Sequence, residues 1–364
     1  MLQVHNTSKY ISPYKHEETV VLSVSLVFII LLSFLGNSVI ILTLYKNNKL
    51  WISTNILIGN LSFSSLGVSV LVMPFSLYSS LAEEWTFKEG IVCNLTGFSA
   101  SLLLLVTIFT HTAVSIDKYY GVVKPLSRAF TPQRTWVIVA VIWSVSAAMS
   151  LGPLIGVAKF EYNPTTLICG VGFPTTPSEH LYLALLSIIG FVIPTNIMMF
   201  VYVRVYMAVR QQAKRLLAHA IVNHEVLQLQ KRLILTVFLS WMCFIICWTP
   251  FFLLTVLAEL LKDRSKLPHA LGVAAYWSGY SNSLMYPIII CAMSKRFREG
   301  FVVLWRLIVR VPLLVLQACR RNPLRSGKGQ IHKGCVAIND FPIKVIEKGN
   351  PVLQSQPIAL SSWA

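Results

Sequence analysis

Acidic residues are scarce in this chain of 364 residues: Asp and Glu number 14, against 31 Lys and Arg. Charged residues of all kinds make up only 12%. No acid lies deep inside any of the long apolar runs that fill most of the sequence, which limits what their interior can bind. Catalytic signatures are missing too. There is no P-loop, no paired Cys-x-x-Cys motif and no Ser/His/Asp triad pattern, and the eight His are scattered, so neither metal catalysis nor a bound cofactor is expected. No internal repeat or buried charge relay of the kind a transporter uses is visible.

Apolar length is what the chain has instead. Seven segments, at 20–45, 53–82, 91–120, 135–158, 181–209, 233–261 and 268–293, each reach the roughly 20 apolar residues needed to cross a hydrocarbon core. Apolar residues total 55%, more than a soluble chain of this length could hide. The expected fold class is an all-α membrane protein, a bundle of seven transmembrane helices. The first run reads as a retained span, because no small-residue cleavage site follows it.

Basic residues set the orientation. With the N-terminus outside, most of the Lys and Arg fall in inner loops and the tail, and the outer side is slightly acidic. The net charge of +17 therefore reflects topology. Its natural counterpart is the anionic inner leaflet of a plasma membrane, and no nucleic-acid partner is implied.

Seven cysteines divide by compartment. Cys93 and Cys169 alone face the oxidising exterior, which predicts a disulfide between them. Cys243, Cys247 and Cys291 read as small apolar fillers within spans. Cys319 follows an apolar stretch and precedes Arg320 and Arg321, a setting that suits palmitoylation or a free cytosolic thiol. Asn6-Thr7-Ser8 is a glycosylation sequon on the outer tail, whereas Asn94-Leu95-Thr96 sits too close to the membrane beside Cys93.

The loops between spans are short. The third inner loop, 210–232, contains no Pro or Gly, so the helices on either side should extend beyond the membrane. The organisation expected is an outer tail over 1–19, the seven-span domain over 20–293, an amphipathic juxtamembrane helix within 294–318, and a disordered tail over 319–364.

Ordered landmarks run through the spans. They are Gly36-Asn37, Asn60-Leu61 with Pro74, and Trp85-Thr86-Phe87. Cys93 and Asp117-Lys118-Tyr119 bound the third span, Trp143 and Pro153 mark the fourth, and Pro194 and Tyr202 mark the fifth. Phe244 and Cys247-Trp248-Thr249-Pro250 follow in the sixth. Trp277 to Asn282 and Tyr286-Pro287 close the seventh, with Phe297 and Phe301 beyond it. In this order and spacing, from about Gly36 to Phe301, the chain resembles the rhodopsin-like G-protein-coupled receptors.

Helices six and seven are most similar to those of biogenic-amine receptors, with Phe251 and Phe252 as an aromatic floor or as a generic packing layer. The resemblance implies a ligand pocket among Ala100, Leu104, Trp248, Phe251, Phe252, Tyr276 and Tyr280. The acid that binds amines in that subgroup is Ala100 here, so the pocket lacks a carboxylate for an amine. An unpaired buried ammonium costs several kcal/mol, and cation–π attraction offsets only about 1–2 kcal/mol of it. A small neutral or apolar ligand, or none, is expected. The retinal-bearing Lys of opsins corresponds to Tyr280.

The resemblance also implies an activation switch through Ile108, His111, Asp117, Lys118, Pro194, Tyr202, Phe244, Trp248, Tyr286 and Pro287. Several parts depart from the family pattern. Lys118 stands for the usual Arg and keeps the charge without the bidentate fork, although Asp117 can still pair with it. Gln230, Ser65, Tyr286 and Ile290 replace residues that lock or relay in relatives. Ser65, Thr107, Asn282 and Ser283 leave a polar pocket without an anionic centre, a poor site for sodium or any other metal ion. His111 either loosens the resting state or is a neutral ring bonded to Asn282, Ser283 or water.

Lys118, Pro125, Leu126, Lys214, Arg215, Lys231 and Arg232 are the expected G-protein contacts, or for the basic ones merely the positive inner face. The function implied is signalling to a heterotrimeric G protein by outward movement of helix six, either with basal activity or silent without a ligand, since the lost locks favour the active state and the lost active-state contacts oppose it. A non-signalling scaffold that modulates a partner is the alternative.

Overall fold

The computed structural model describes residues 12–47, 50–87, 90–124, 127, 129–218, 224–260, 269–295, 297–302 and 306. Within these, residues 213, 215–218, 224–234, 236, 237, 258, 259 and 269 are described by backbone alone. Helices dominate: α1 (His16–Lys46), α2 (Ser53–Leu71), α3 (Met73–Ala82), α4 (Ile91–Val123), α5 (Pro132–Ser150), α6 (Pro177–Ser187), α7 (Ile193–Ala218), α8 (His224–Leu260) and α9 (His269–Met293). They make seven spans, because α2 with α3 and α6 with α7 each form one interrupted rod.

Both interruptions have a local cause. Pro74 stands in the first turn of α3 and has no N–H to continue the ladder of α2, so the backbone resets at Val72. Ahead of Pro194 the chain widens into a π-turn over Ile188–Val192, where Ile193 N–H donates to the Ile188 carbonyl. The fourth span ends earlier than its apolar run: a 3-10 turn over Gly152–Ile155 follows α5, and Gly156 closes it in the left-handed region at φ 85°.

By length and composition, five of these rods are apolar enough to cross a membrane among the described residues. The other two, α5 and α9, are diluted by Gln133 and Arg134 in a first turn and by Ser278, Ser281, Asn282 and Ser283 at mid-helix. Outward-facing side chains are apolar along the bundle, such as Phe28, Leu31, Phe63, Val137, Phe200 and Ile246. A surface of that kind suits lipid rather than water.

The described parts of the third inner loop are helical as its composition predicts: α7 runs to Ala218 and α8 begins at His224. Past α9, residues 297–302 are again helical. Phe297 is buried, and Phe301 packs with it against Tyr286 and Ile290, as an amphipathic segment should. The 319–364 tail lies outside the described residues, and Asn6 and Cys319 with it.

One element departs from an all-α expectation. Between the fourth and fifth spans, β1 (Phe160–Asn163) pairs antiparallel with β2 (Ile168–Val171), Tyr162 opposite Cys169. The Cys93–Cys169 disulfide ties this hairpin to the start of α4, with Cα atoms 5.3 Å apart. Phe160 lies over Gly97 of α4, where an added Cβ would stand 2.5 Å from the ring, so only glycine permits that approach.

Buried polar side chains link the helices where no water can. Asn60 Nδ2 donates to Thr110 Oγ1 at 2.8 Å, and Trp143 Nε1 donates to Asn60 Oδ1 at 2.9 Å, which joins α2, α4 and α5. Asn37 Nδ2 donates to the Ser283 carbonyl at 3.0 Å, joining α1 to α9. Each such bond contributes about 1 kcal/mol, and a broken one leaves a partner stranded at greater cost.

Candidate functional site

Near the hairpin end of the bundle lies a cavity of about 370 Å³. Its walls come from α2, α4, the hairpin, α6, the π-turn, α8 and α9. All seven residues expected at a pocket line it: Ala100 and Leu104 from α4, Trp248, Phe251 and Phe252 from α8, and Tyr276 and Tyr280 from α9. Phe251 meets Trp248 and Tyr276 edge-on at 6.1 and 5.5 Å, and Phe252 stacks on Phe191 at 4.6 Å. Tyr280 shares a hydrogen bond of 2.8 Å with Ser76. Gly279 sits beneath Trp248, where a Cβ would come within 3.1 Å of the indole.

The hairpin roofs this cavity. Tyr162 stacks on Trp85 at 5.1 Å and shares a 2.6 Å hydrogen bond with Ser79. Burial pushes the Tyr162 hydroxyl up to about 12, so it stays a neutral hydrogen-bonding group. The N-terminal segment is fastened to the same lid by Tyr14, whose OH donates to the Thr165 carbonyl at 2.7 Å, and to the end of α3 by His16, which meets Glu83 at 2.8 Å.

Among the described residues, one charged side chain lines the cavity, Glu161 on β1. The strand turns this acid inward at the lid, while the side chain of Glu259 in α8 lies outside the described residues. Its neighbours Phe160 and Tyr162 are the more buried pair, by the two-residue period of a strand, and Tyr162 also borders the cavity.

Beneath the cavity, Ile108, Phe244 and Trp248 share one buried cluster with Met198 and Cys247, and Pro194 is buried at the start of α7. Tyr202 points to α8, stacking on Trp241 at 5.8 Å. Thr107, Asn282 and Ser283 line the cavity together. Ser65 is buried in α2 but is not part of that lining, and it is Ser64 that reaches Thr107, at 3.1 Å.

The ring of His111 lies 5.2 Å from Tyr286, edge-on, and 6.0 Å from Phe244. Its Nε2 is buried without a hydrogen-bond partner among the described residues, so it bonds neither Asn282 nor Ser283. Pro287 lies one residue on, where α9 meets Gly36 of α1.

At the far end of α4, Asp117 and Lys118 do not form the direct pair expected of them. Thr54, in the first turn of α2, donates its hydroxyl to Asp117 Oδ2 and receives a bond of 3.4 Å from Lys118 Nζ. One hydroxyl thus stands between acid and base. Nothing in the sequence singles out Thr54. Among the expected G-protein contacts, Lys214 is exposed. Pro125 and Leu126, and the side chains of Arg215, Lys231 and Arg232, lie outside the described residues.

Seven spans around a roofed cavity, with a disulfide holding the roof, form the architecture of a multi-pass membrane receptor. Residues 36–289 match the family described as 7 transmembrane receptor (rhodopsin family), and the chain belongs to that family, one of receptors rather than enzymes. The tachykinin-like peptides receptor 99D of Drosophila melanogaster is 30% identical over 291 residues, which are 76% of this chain and 55% of that receptor. The chain therefore spans just over half the length of the fly receptor. Melatonin receptor type 1C of Xenopus laevis is 27% identical over 306 residues, covering 83% of this chain and 71% of its own. The crystal structure of squid rhodopsin superposes with a TM-score of 0.73 at 19% identity, over 85% of this chain and 91% of that one, a likeness of fold.

Proposed function

We propose that this receptor sits in the plasma membrane with its N-terminus and hairpin outside, and signals to a heterotrimeric G protein when α8 swings outward. Such receptors work by population shift, so a ligand or a mutation acts by favouring one of two states. Exposed Lys46, Lys124, Arg134, Lys214, Lys295 and Arg298 lie toward the end opposite the hairpin, which suits contact with an anionic inner leaflet. The deep cavity favours a neutral or apolar ligand group, since the described residues of its helical walls include no acid.

Basal activity is part of this reading, and His111 carries it, because no side chain among the described residues reaches its buried Nε2. A buried polar atom without a partner destabilises the state that buries it by about 1–3 kcal/mol. Outward movement of α8 draws Phe244 away from the imidazole and admits water, so the active state is relieved of that penalty. His111→Leu is expected to lower ligand-independent second-messenger output at least about fivefold at equal surface density, since about 1.4 kcal/mol is a factor of ten and the penalty is about 1 kcal/mol or more. Unchanged output would rule out this role for His111.

A scaffold receptor that modulates a partner without signalling is the second reading. It is favoured by Lys118, Tyr286 and Ile290, which depart together from the family's switch pattern. Lys118→Arg separates the two by restoring the planar fork that an ammonium cannot imitate. Severalfold higher output is expected from a weakened switch; silence in both wild type and variant, at matched surface expression, would favour the scaffold.

A further inference from the structure

The two faces of the lid hairpin differ in kind. Phe160 is buried against Gly97 and Tyr162 against Trp85 and Ser79 at the cavity's edge, while Glu161 and Asn163 line the cavity. Gly170 stands opposite Glu161 in the strand register, and a Cβ on Gly172 would come within 3.1 Å of the Glu161 Cγ and Cδ. Two positions without side chains therefore leave this carboxylate uncovered. It is half-buried and, among the described residues, makes no hydrogen bond or ion pair, with Lys159 out of ion-pair range. A lone carboxylate in a cavity otherwise walled by neutral groups attracts a cation more strongly than it would in water, because little solvent screens it.

The other end of the cavity offers the opposite chemistry. Trp248 lies at the floor, with Phe251 and Tyr276 between it and the hairpin, where Tyr276 reaches Gly170 opposite Glu161. Around it stand Leu104, Phe191, Phe251 and Phe252, apolar side chains with no ionisable group. A molecule that touches both ends has to be elongated, with its charge at the lid.

We propose that Glu161 anchors the cationic group of an amphiphilic ligand whose apolar portion fills the aromatic end of the cavity. This rests on the reading of the cavity as the receptor's ligand site and names the class of ligand. Short monoamines fail because an ammonium held at Glu161 leaves the deep aromatic wall empty. An elongated amine gains both contacts.

The test uses full-length purified receptor in lipid nanodiscs and ω-phenylalkylamines with two to eight methylenes, each paired with its ω-phenylalkanol. Affinities are read from ligand-dependent thermal unfolding. A longer amine is expected to bind at least tenfold more tightly than its alcohol. Glu161→Gln should erase that preference, and Glu161→Lys should reverse it in favour of the matched ω-phenylalkanoate, a gain that only a folded protein can show. Equal binding of amine and alcohol, no binding at any chain length, or an amine preference that survives in Glu161→Gln would each overturn the proposal. Ligand-free signalling of the wild type is measured in parallel. Signalling without amine preference would sink the anchor and leave the receptor reading standing; amine preference with no signalling at any dose would do the reverse.

Discussion

Ala100→Asp is expected to raise the affinity for a small arylethylamine about 100-fold. Ala100 lines the cavity from α4, facing the ring of Trp248, Phe251, Tyr276 and Tyr280 walls. In the wild type an ammonium at that depth finds aromatic faces and no counter-charge. Cation–π contact supplies at most about 2 kcal/mol, which does not replace the lost hydration. A carboxylate at position 100 adds a charge pair inside the cavity, and close buried pairs are worth about 2–5 kcal/mol when one partner is removed. Phenethylamine titrated against thermal unfolding of both proteins measures the gain. Submicromolar binding to the wild type, left unchanged by the substitution, would contradict the reading of a helical pocket without an amine anchor.

Loss of the Cys93–Cys169 bond should have the largest effect on stability. The bond closes a loop of 76 residues and joins two sites that are fully buried. For a loop of that length the chain-entropy scale gives about 4 kcal/mol. Cys93→Ser and Cys169→Ser are each expected to lower the unfolding midpoint by roughly 10 °C and to deplete receptor at the cell surface. The double variant should resemble either single one, because each already breaks the bond. The hairpin would also lose its hold on α4, so amine preference at Glu161 should weaken in the protein that survives. A midpoint unmoved by either substitution would show that Tyr162, Trp85 and Phe160 hold the lid unaided.

Much of the bundle is legible in the sequence because lipid demands it. Every span must satisfy its backbone internally, so long apolar runs can only be helices here. The Cys93–Cys169 pairing followed from compartment alone, and the seven wall residues came together because helical spacing and the family landmarks set which faces turn inward. The hairpin was less visible, although its signals are present. Phe160-Glu161-Tyr162-Asn163 alternates with period two, and Pro164-Thr165-Thr166 supplies a turn before Ile168-Cys169-Gly170-Val171. Runs this short are overlooked between spans of 20 or more residues, and with them went Glu161.

Other contacts leave no local trace. Thr54 is an ordinary first-turn residue until α2 and α4 pack and bring it between Asp117 and Lys118. The exchange of Ser65 for Ser64 at Thr107 is a rotation of one residue on α2, about 100° of helix, which soft boundaries cannot resolve. His111 shows the same limit from the other side. A histidine in an apolar run announces itself, yet only packing reveals that Tyr286 and Phe244 surround it and that no partner reaches its Nε2.

Ligand-free second-messenger output, with cyclic AMP followed for both rise and inhibition, tests the proposed function most directly when plotted against surface receptor density. Output that climbs with density is the expected result, and it would place His111 and Lys118 at the centre of a loosened switch. A flat line across a wide range of surface expression would contradict a self-activating receptor.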